Sequence, residues 1–108
     1  MNNKTIIYYS SNREDPEMER KVIDDMLAKS GDLPIISITQ KPMKLGQNVC
    51  IGDVGQSHIN TRRQILIATK LAKTEYVITA ESDILYPPEY FTFEPTGENL
   101  YRCGNVWI

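Results

Sequence analysis

Apolar positions in this chain come in two rhythms. Short continuous runs read as buried strands, and longer stretches with apolar residues every three to four positions read as helices. Thr5-Ile-Ile-Tyr-Tyr9 is a β-rich run that ends in the small polar residues Ser10-Ser11-Asn12. Asp15-Pro16 then marks a helix start, with Asp as cap and Pro at the first helical position. Met18, Val22 and Met26, with Ile23 and Leu27, form the apolar stripe of that helix, and Ser30-Gly31-Asp32 ends it. Leu33 to Thr39 reads as a second strand. A long connection from Gln40 to Gln56 follows, with a short strand at Val49-Cys50-Ile51 inside it. Ser57 is the cap of a second helix that runs to about Lys73, with Ile65, Ile67, Ala68, Leu71 and Ala72 on its buried side. The next run, from Tyr76, is a buried strand that stops at Glu81-Ser82-Asp83. The order β-α-β-(β)-α-β predicts an α/β fold: a three-layer α/β/α sandwich around a Rossmann-like, mainly parallel sheet.

After Pro87-Pro88 the character changes. Glu89-Tyr90-Phe91 reads as a helical turn. Phe91-Thr92-Phe93 and Tyr101 to Ile108 read as the two strands of a C-terminal antiparallel hairpin, separated by Pro95-Thr96-Gly97. The expectation is one domain over residues 1–108, with a core over 1–86 and the terminal hairpin over 87–108.

The end of the Tyr76 strand carries the most informative chemistry. In an extended segment, residues i and i+2 project to the same side, so Glu81 and Asp83 converge on one point. Two carboxylates at a strand end suit a hard divalent cation that also holds phosphate oxygens, and open α/β sheets bind ligands outside the carboxyl ends of their strands. A solvated acidic turn has the same spacing. Ser10, Ser11 and Asn12 belong to the same end of the sheet, either as contacts to a nucleotide base and ribose or as a plain turn. Asp53-Val54-Gly55 sets a carboxylate beside flexible backbone, for ribose contact or for the turn alone. Arg62 and Arg63, early in the second helix, are either pyrophosphate ligands or a solvated face. His58, the single histidine, reads as a surface or capping residue.

Composition narrows the field. The 108 residues carry a formal net charge of −2, with the Lys and Arg residues spread along the chain, which argues against a dedicated nucleic-acid binder. There is no long apolar stretch to span a membrane, and the N-terminus runs straight into a strand without the pattern of a signal peptide. Cys50 and Cys103 lack metal-ligand spacing and read as reduced thiols of a cytoplasmic protein, with a disulfide between them as the alternative, since sequence does not fix their distance. No glycine-rich phosphate loop follows the first strand.

Taken together, these residues resemble a GT-A-fold glycosyltransferase. Ala80-Glu-Ser-Asp83 and the following Ile84-Leu-Tyr-Pro-Pro-Glu-Tyr-Phe91 look like the acidic metal-binding motif of that fold, with Glu-x-Asp in place of the usual Asp-x-Asp. Gln64 to Val77 resembles the helix that feeds that strand. Tyr8 to Asn12 resembles the first strand and its nucleotide-contacting turn, and Tyr101 to Trp107 resembles a strand found shortly after the motif. The resemblance implies a sugar-nucleotide donor, most commonly a UDP-sugar, and Mn²⁺ or Mg²⁺ held most directly by Asp83, with Glu81 binding it through water or touching the ribose. Ser82, Ser10, Ser11, Asn12, Asp53 and one of Arg62 or Arg63 would contact the donor. Such enzymes are about twice this length, so the resemblance leaves the acceptor and its site unspecified, and Glu89, Glu94 and Glu98 have no spacing that marks one as a catalytic base. Two other classes fit the same residues. One is a nucleotidyltransferase, which shares a similar nucleotide-binding sheet. The other is a non-catalytic α/β domain that self-associates as a homo-oligomer through an edge strand at Tyr101–Ile108.

Overall fold

A computed structural model describes residues 4–55 and 57–93. Four parallel strands form one sheet in the order β3-β2-β1-β4. They are β1 (Lys4–Ser10), β2 (Ile35–Thr39), β3 (Gln47–Cys50) and β4 (Tyr76–Glu81). Three helices join them: α1 (Pro16–Ser30) between β1 and β2, α2 (His58–Leu71) between β3 and β4, and α3 (Pro88–Thr92) after β4.

The central strand β1 is buried on both faces, and its alternation sorts the core in two. Ile6 and Tyr8 pack with Met26 of α1, Leu45, Ala80, and Tyr86 and Phe91 around α3. Ile7 faces the other way and packs with Ile36, Ile38 and Ala68 of α2. Adjacent residues of a strand point to opposite faces, so a continuous apolar run is what a strand buried on both sides requires. The β2–β3 connection returns close against the start of β2. Gly46 sits there at φ +56°, and a Cβ would meet the carbonyl oxygen of Ile35 at 2.2 Å, so no larger side chain fits.

Several expectations are corrected. Phe91 and Thr92 are helical, so a hairpin strand does not begin there. Pro88 at the start of α3 presets the helical φ, and the Lys4 ammonium takes the carbonyls of Phe91 and Phe93 at 2.7 Å each, which caps the chain end of that helix. The second hairpin strand, Tyr101–Ile108, lies outside the described residues. β4 is an edge strand among the described residues, with Ala80 its one buried residue. The apolar stripe of α1 is narrower than its spacing suggests: Val22 and Met26 are buried, but Met18 and Leu27 are exposed. Asp15 stands at the cap position of α1 without a side-chain capping bond, whereas Ser57 caps α2 by accepting the Asn60 N–H at 3.1 Å. No helix among the described residues is long and apolar enough to cross a membrane.

Candidate functional site

β1 leads through α1 to β2 on one side of the sheet, and β3 leads through α2 to β4 on the other. The chain therefore changes direction between β1 and β4, and the crevice outside their carboxyl ends is where open α/β sheets place ligands. A pocket of about 120 Å³ opens there. Tyr9, Ser10 and Ser11 line it from the end of β1, and Glu81, Ser82 and Asp83 from the end of β4. The register sets Tyr9 directly beside Glu81 across the two strands. Five of the residues singled out in the sequence thus meet in one pocket: Ser10, Ser11, Glu81, Ser82 and Asp83.

The strand itself stops at Glu81, and Ser82 and Asp83 form a turn. Two tyrosines stand against Glu81. Its backbone N–H donates to the Tyr86 hydroxyl at 3.2 Å, and Tyr9, its neighbour across the strands, lies close enough for the two side chains to interact. Burial, then the Glu81 charge and its hydrogen bond, hold the Tyr9 hydroxyl protonated well above the usual tyrosine range. Tyr86 is raised in the same direction, chiefly by burial. It stacks on Tyr90 with ring centroids 4.2 Å apart, and the Tyr90 hydroxyl donates to the Thr79 carbonyl. These aromatic rings brace the acidic turn from behind and occupy polar backbone groups of β4.

The opposite wall comes from the start of α2. Asn60, Thr61 and Gln64 line it, with Gly55 and Ser57 before them. Gln64 is buried and donates to the carbonyls of Ser10 at 3.0 Å and Ile38 at 2.9 Å, so it ties the helix to the ends of β1 and β2. Gln40 is a second tie. Its side chain donates to the Gly55 carbonyl at 2.8 Å and accepts from Val54 N at 3.2 Å and Arg13 at 3.0 Å. Gly55 at φ +85° turns the chain between that tie and α2. Glu14 also lines the pocket, and its Oε2 is buried without a hydrogen-bond partner. Neither Gln40 nor Gln64 stood out in the sequence. The one available signal is that Gln64 precedes Ala68 by four residues, which places a polar side chain on the buried face of α2.

The remaining sequence candidates lie elsewhere. Asn12, at φ +60°, accepts the N–H groups of Gln40 and Lys41 at 2.8 Å each and points its amide at Met43, so it clamps the turn and does not line the pocket. Asp53 pairs with Arg13 at 2.6 Å, with its side chain 83% exposed. Arg62 and Arg63 are exposed and off the pocket wall. The helical phase explains this: Thr61, Gln64 and Ala68 turn toward the sheet end, which carries residues 62 and 63 away from it. Among the described residues, no three His, Cys, Asp or Glu side chains group closely enough to hold a metal by themselves. Cys50 is a free, exposed thiol, and Cys103 lies outside the described residues. In comparisons with known proteins, no family model, no curated protein and no solved structure matches this chain.

Proposed function

We propose that this chain is the donor-binding part of a metal-dependent glycosyltransferase with a GT-A-like, three-layer α/β/α fold. The observation that carries the reading is the meeting of Glu81 and Asp83 with the end of β1 in one pocket at the point where strand order reverses. The fold reading rests on α1 and α3 packing against one side of β1 and α2 against the other. The donor is a nucleotide-diphosphate sugar, with UDP the first candidate, and the acceptor is unknown.

Two carboxylates fit Mn²⁺ or Mg²⁺ in the mode where the substrate phosphates complete the coordination, so a third protein ligand is not required. Glu81 and Asp83 would hold the ion, and the ion when bound neutralises charge that develops on the leaving diphosphate. Tyr9 and Tyr86 orient Glu81. Ser10 and Ser11 offer hydroxyl and backbone groups to the nucleoside side of the donor. Ser57, Asn60 and Thr61 set the start of α2, with its positive dipole end, against the phosphate side. The pocket is smaller than the ~300–1,000 Å³ of sites that enclose a whole ligand. It therefore takes the phosphate–ribose portion and leaves the sugar in the open crevice.

Calorimetric titration of UDP, GDP and their sugar conjugates, with Mn²⁺ or with chelator, tests this. The expected result is metal-dependent binding that Asp83→Ala abolishes. Equal binding by wild type and Asp83→Ala, or no binding by well-folded wild type, would sink the donor reading.

A further inference from the structure

Helix α2 has a second side that neither the sheet nor the pocket uses. Ile59, Arg62, Arg63, Leu66 and Lys70 are all exposed and lie opposite the buried Gln64 and Ala68. Ile59 at 63% and Leu66 at 53% are the two most exposed large apolar side chains among the described residues. They are two turns apart on the same line of the helix, with Arg63 and Lys70 interleaved at three- and four-residue steps. From Ile59 to Lys73 the sequence holds Arg62, Arg63, Lys70 and Lys73 and no carboxylate, in a chain whose net charge is −2. Three of the chain's twelve Lys and Arg residues thus share the face that carries these two exposed aliphatic side chains.

We propose that this face of α2 docks the protein on an anionic lipid surface. Ile59 and Leu66 enter the boundary between headgroups and acyl chains, and Arg62, Arg63 and Lys70 meet the lipid phosphates around them. A helix lying in a membrane interface needs this combination of aliphatic centre and cationic flank. Single exposed apolar residues need no explanation, but an aliphatic pair in line inside a cationic field does. Single-stranded nucleic acid is met by aromatic stacking platforms, and this face has no aromatic residue. A two-fold contact between two copies would set the same cations against each other. Docking on this face leaves the pocket open, because none of these five residues lines it.

The test is co-sedimentation of the 108-residue chain with vesicles of phosphatidylcholine alone, or of phosphatidylcholine and phosphatidylglycerol in equal parts. Binding is expected to the mixed vesicles only, and to fall as salt rises. Arg62→Glu with Arg63→Glu is expected to weaken it at least about tenfold, and Ile59→Ser with Leu66→Ser severalfold. Every one of these positions is exposed, and an unchanged thermal melt confirms that the variants are folded. Asp83→Ala, which tests the donor site, is expected to leave vesicle binding unchanged, so the two readings fail separately. No binding to mixed vesicles would overturn the proposal, and so would binding indifferent to either pair of substitutions. Retention on heparin without vesicle binding would assign the face to a soluble polyanion and overturn it too.

Discussion

Two adjacent tyrosines of β1 each meet a glutamate, and their surroundings differ. Tyr8 points to the α1 face, is fully buried, and donates to Glu19 Oε2 at 2.5 Å with Glu19 itself only 7% exposed. Tyr9 points to the α2 face, is half-buried, and meets Glu81 in the pocket. The same pair of groups is sealed on one side of the sheet and open on the other. A sealed carboxylate has no partner except the one the fold provides, so it serves stability. An open one can exchange its partner for water or a ligand, which is what a binding site requires.

Tyr8→Phe is expected to have the largest effect. It leaves a buried carboxylate without its donor, and bonds to charged groups contribute about 1.5–3 kcal/mol. Tyr9→Phe is expected to cost less than ~1 kcal/mol, because solvent in the pocket can replace the hydroxyl. Urea unfolding of both variants measures the difference, and equal losses would erase the distinction between the two pairs. The same contrast has a pH arm. Burial first, then Glu19, raises the Tyr8 hydroxyl far above its ordinary value. The folded state then keeps a proton that the unfolded chain releases near pH ~10, so stability is full below that pH and falls as pH rises above it. Tyr9 and Tyr86 shift in the same direction. The fall above pH ~10 is expected to be shallower in Tyr8→Phe than in wild type.

Asn12→Ala comes next, at about 2 kcal/mol, since two N–H groups lose their acceptor and alanine inherits φ +60°. Asn12→Gly keeps the backbone freedom and loses only the bonds, so it is expected to fall between alanine and wild type. If Asn12→Ala instead removed donor binding with stability intact, the residue would belong to the open side of the comparison.

Asn12 also shows what sequence can and cannot say. The order of elements is legible because each apolar run and stripe is local: Ser57 does cap α2, and β4 does run from Tyr76 to Glu81. The meeting of Ser10, Ser11, Glu81, Ser82 and Asp83 is legible because parallel strands put their carboxyl ends together. The role of Asn12 is not, because its partners Gln40 and Lys41 are 28 and 29 residues away. Gln64 escapes for a related reason. A glutamine reads as solvated until the two strand ends it bridges are known to converge. Arg62 and Arg63 show the limit of proximity in sequence: they neighbour Thr61, but one step around a helix turns a side chain by about 100°. Nothing in the run Phe91-Thr92-Phe93 announces that Lys4 caps it as a helix.

Asp83→Ala is expected to change stability by no more than about 0.5 kcal/mol, because the side chain is exposed at a turn. Its effect belongs to ligand affinity, measured by the metal-dependent titration. A stability loss as large as that of Tyr8→Phe would mean that Asp83 serves the fold and not the pocket.

An effect that is expected to vanish in high salt tests whether the pocket rim is held as loosely as its exposure implies. Arg13 joins the rim through Asp53 at 2.6 Å, the Ser11 carbonyl at 3.1 Å and the Gln40 side chain at 3.0 Å. Its side chain is 36% exposed and that of Asp53 83%, so the ion pair is screened and contributes roughly 0.2–1 kcal/mol. Asp53→Asn is expected to cost that amount in low salt and almost nothing in high salt, where the Debye length drops toward ~3 Å. Arg13→Ala also removes the two uncharged contacts, so part of its cost survives added salt. If the Asp53→Asn loss persisted in high salt, the pair would be holding the rim as the buried Tyr8–Glu19 pair holds the core, and the division between sealed and open sides would not extend to the edge of the pocket.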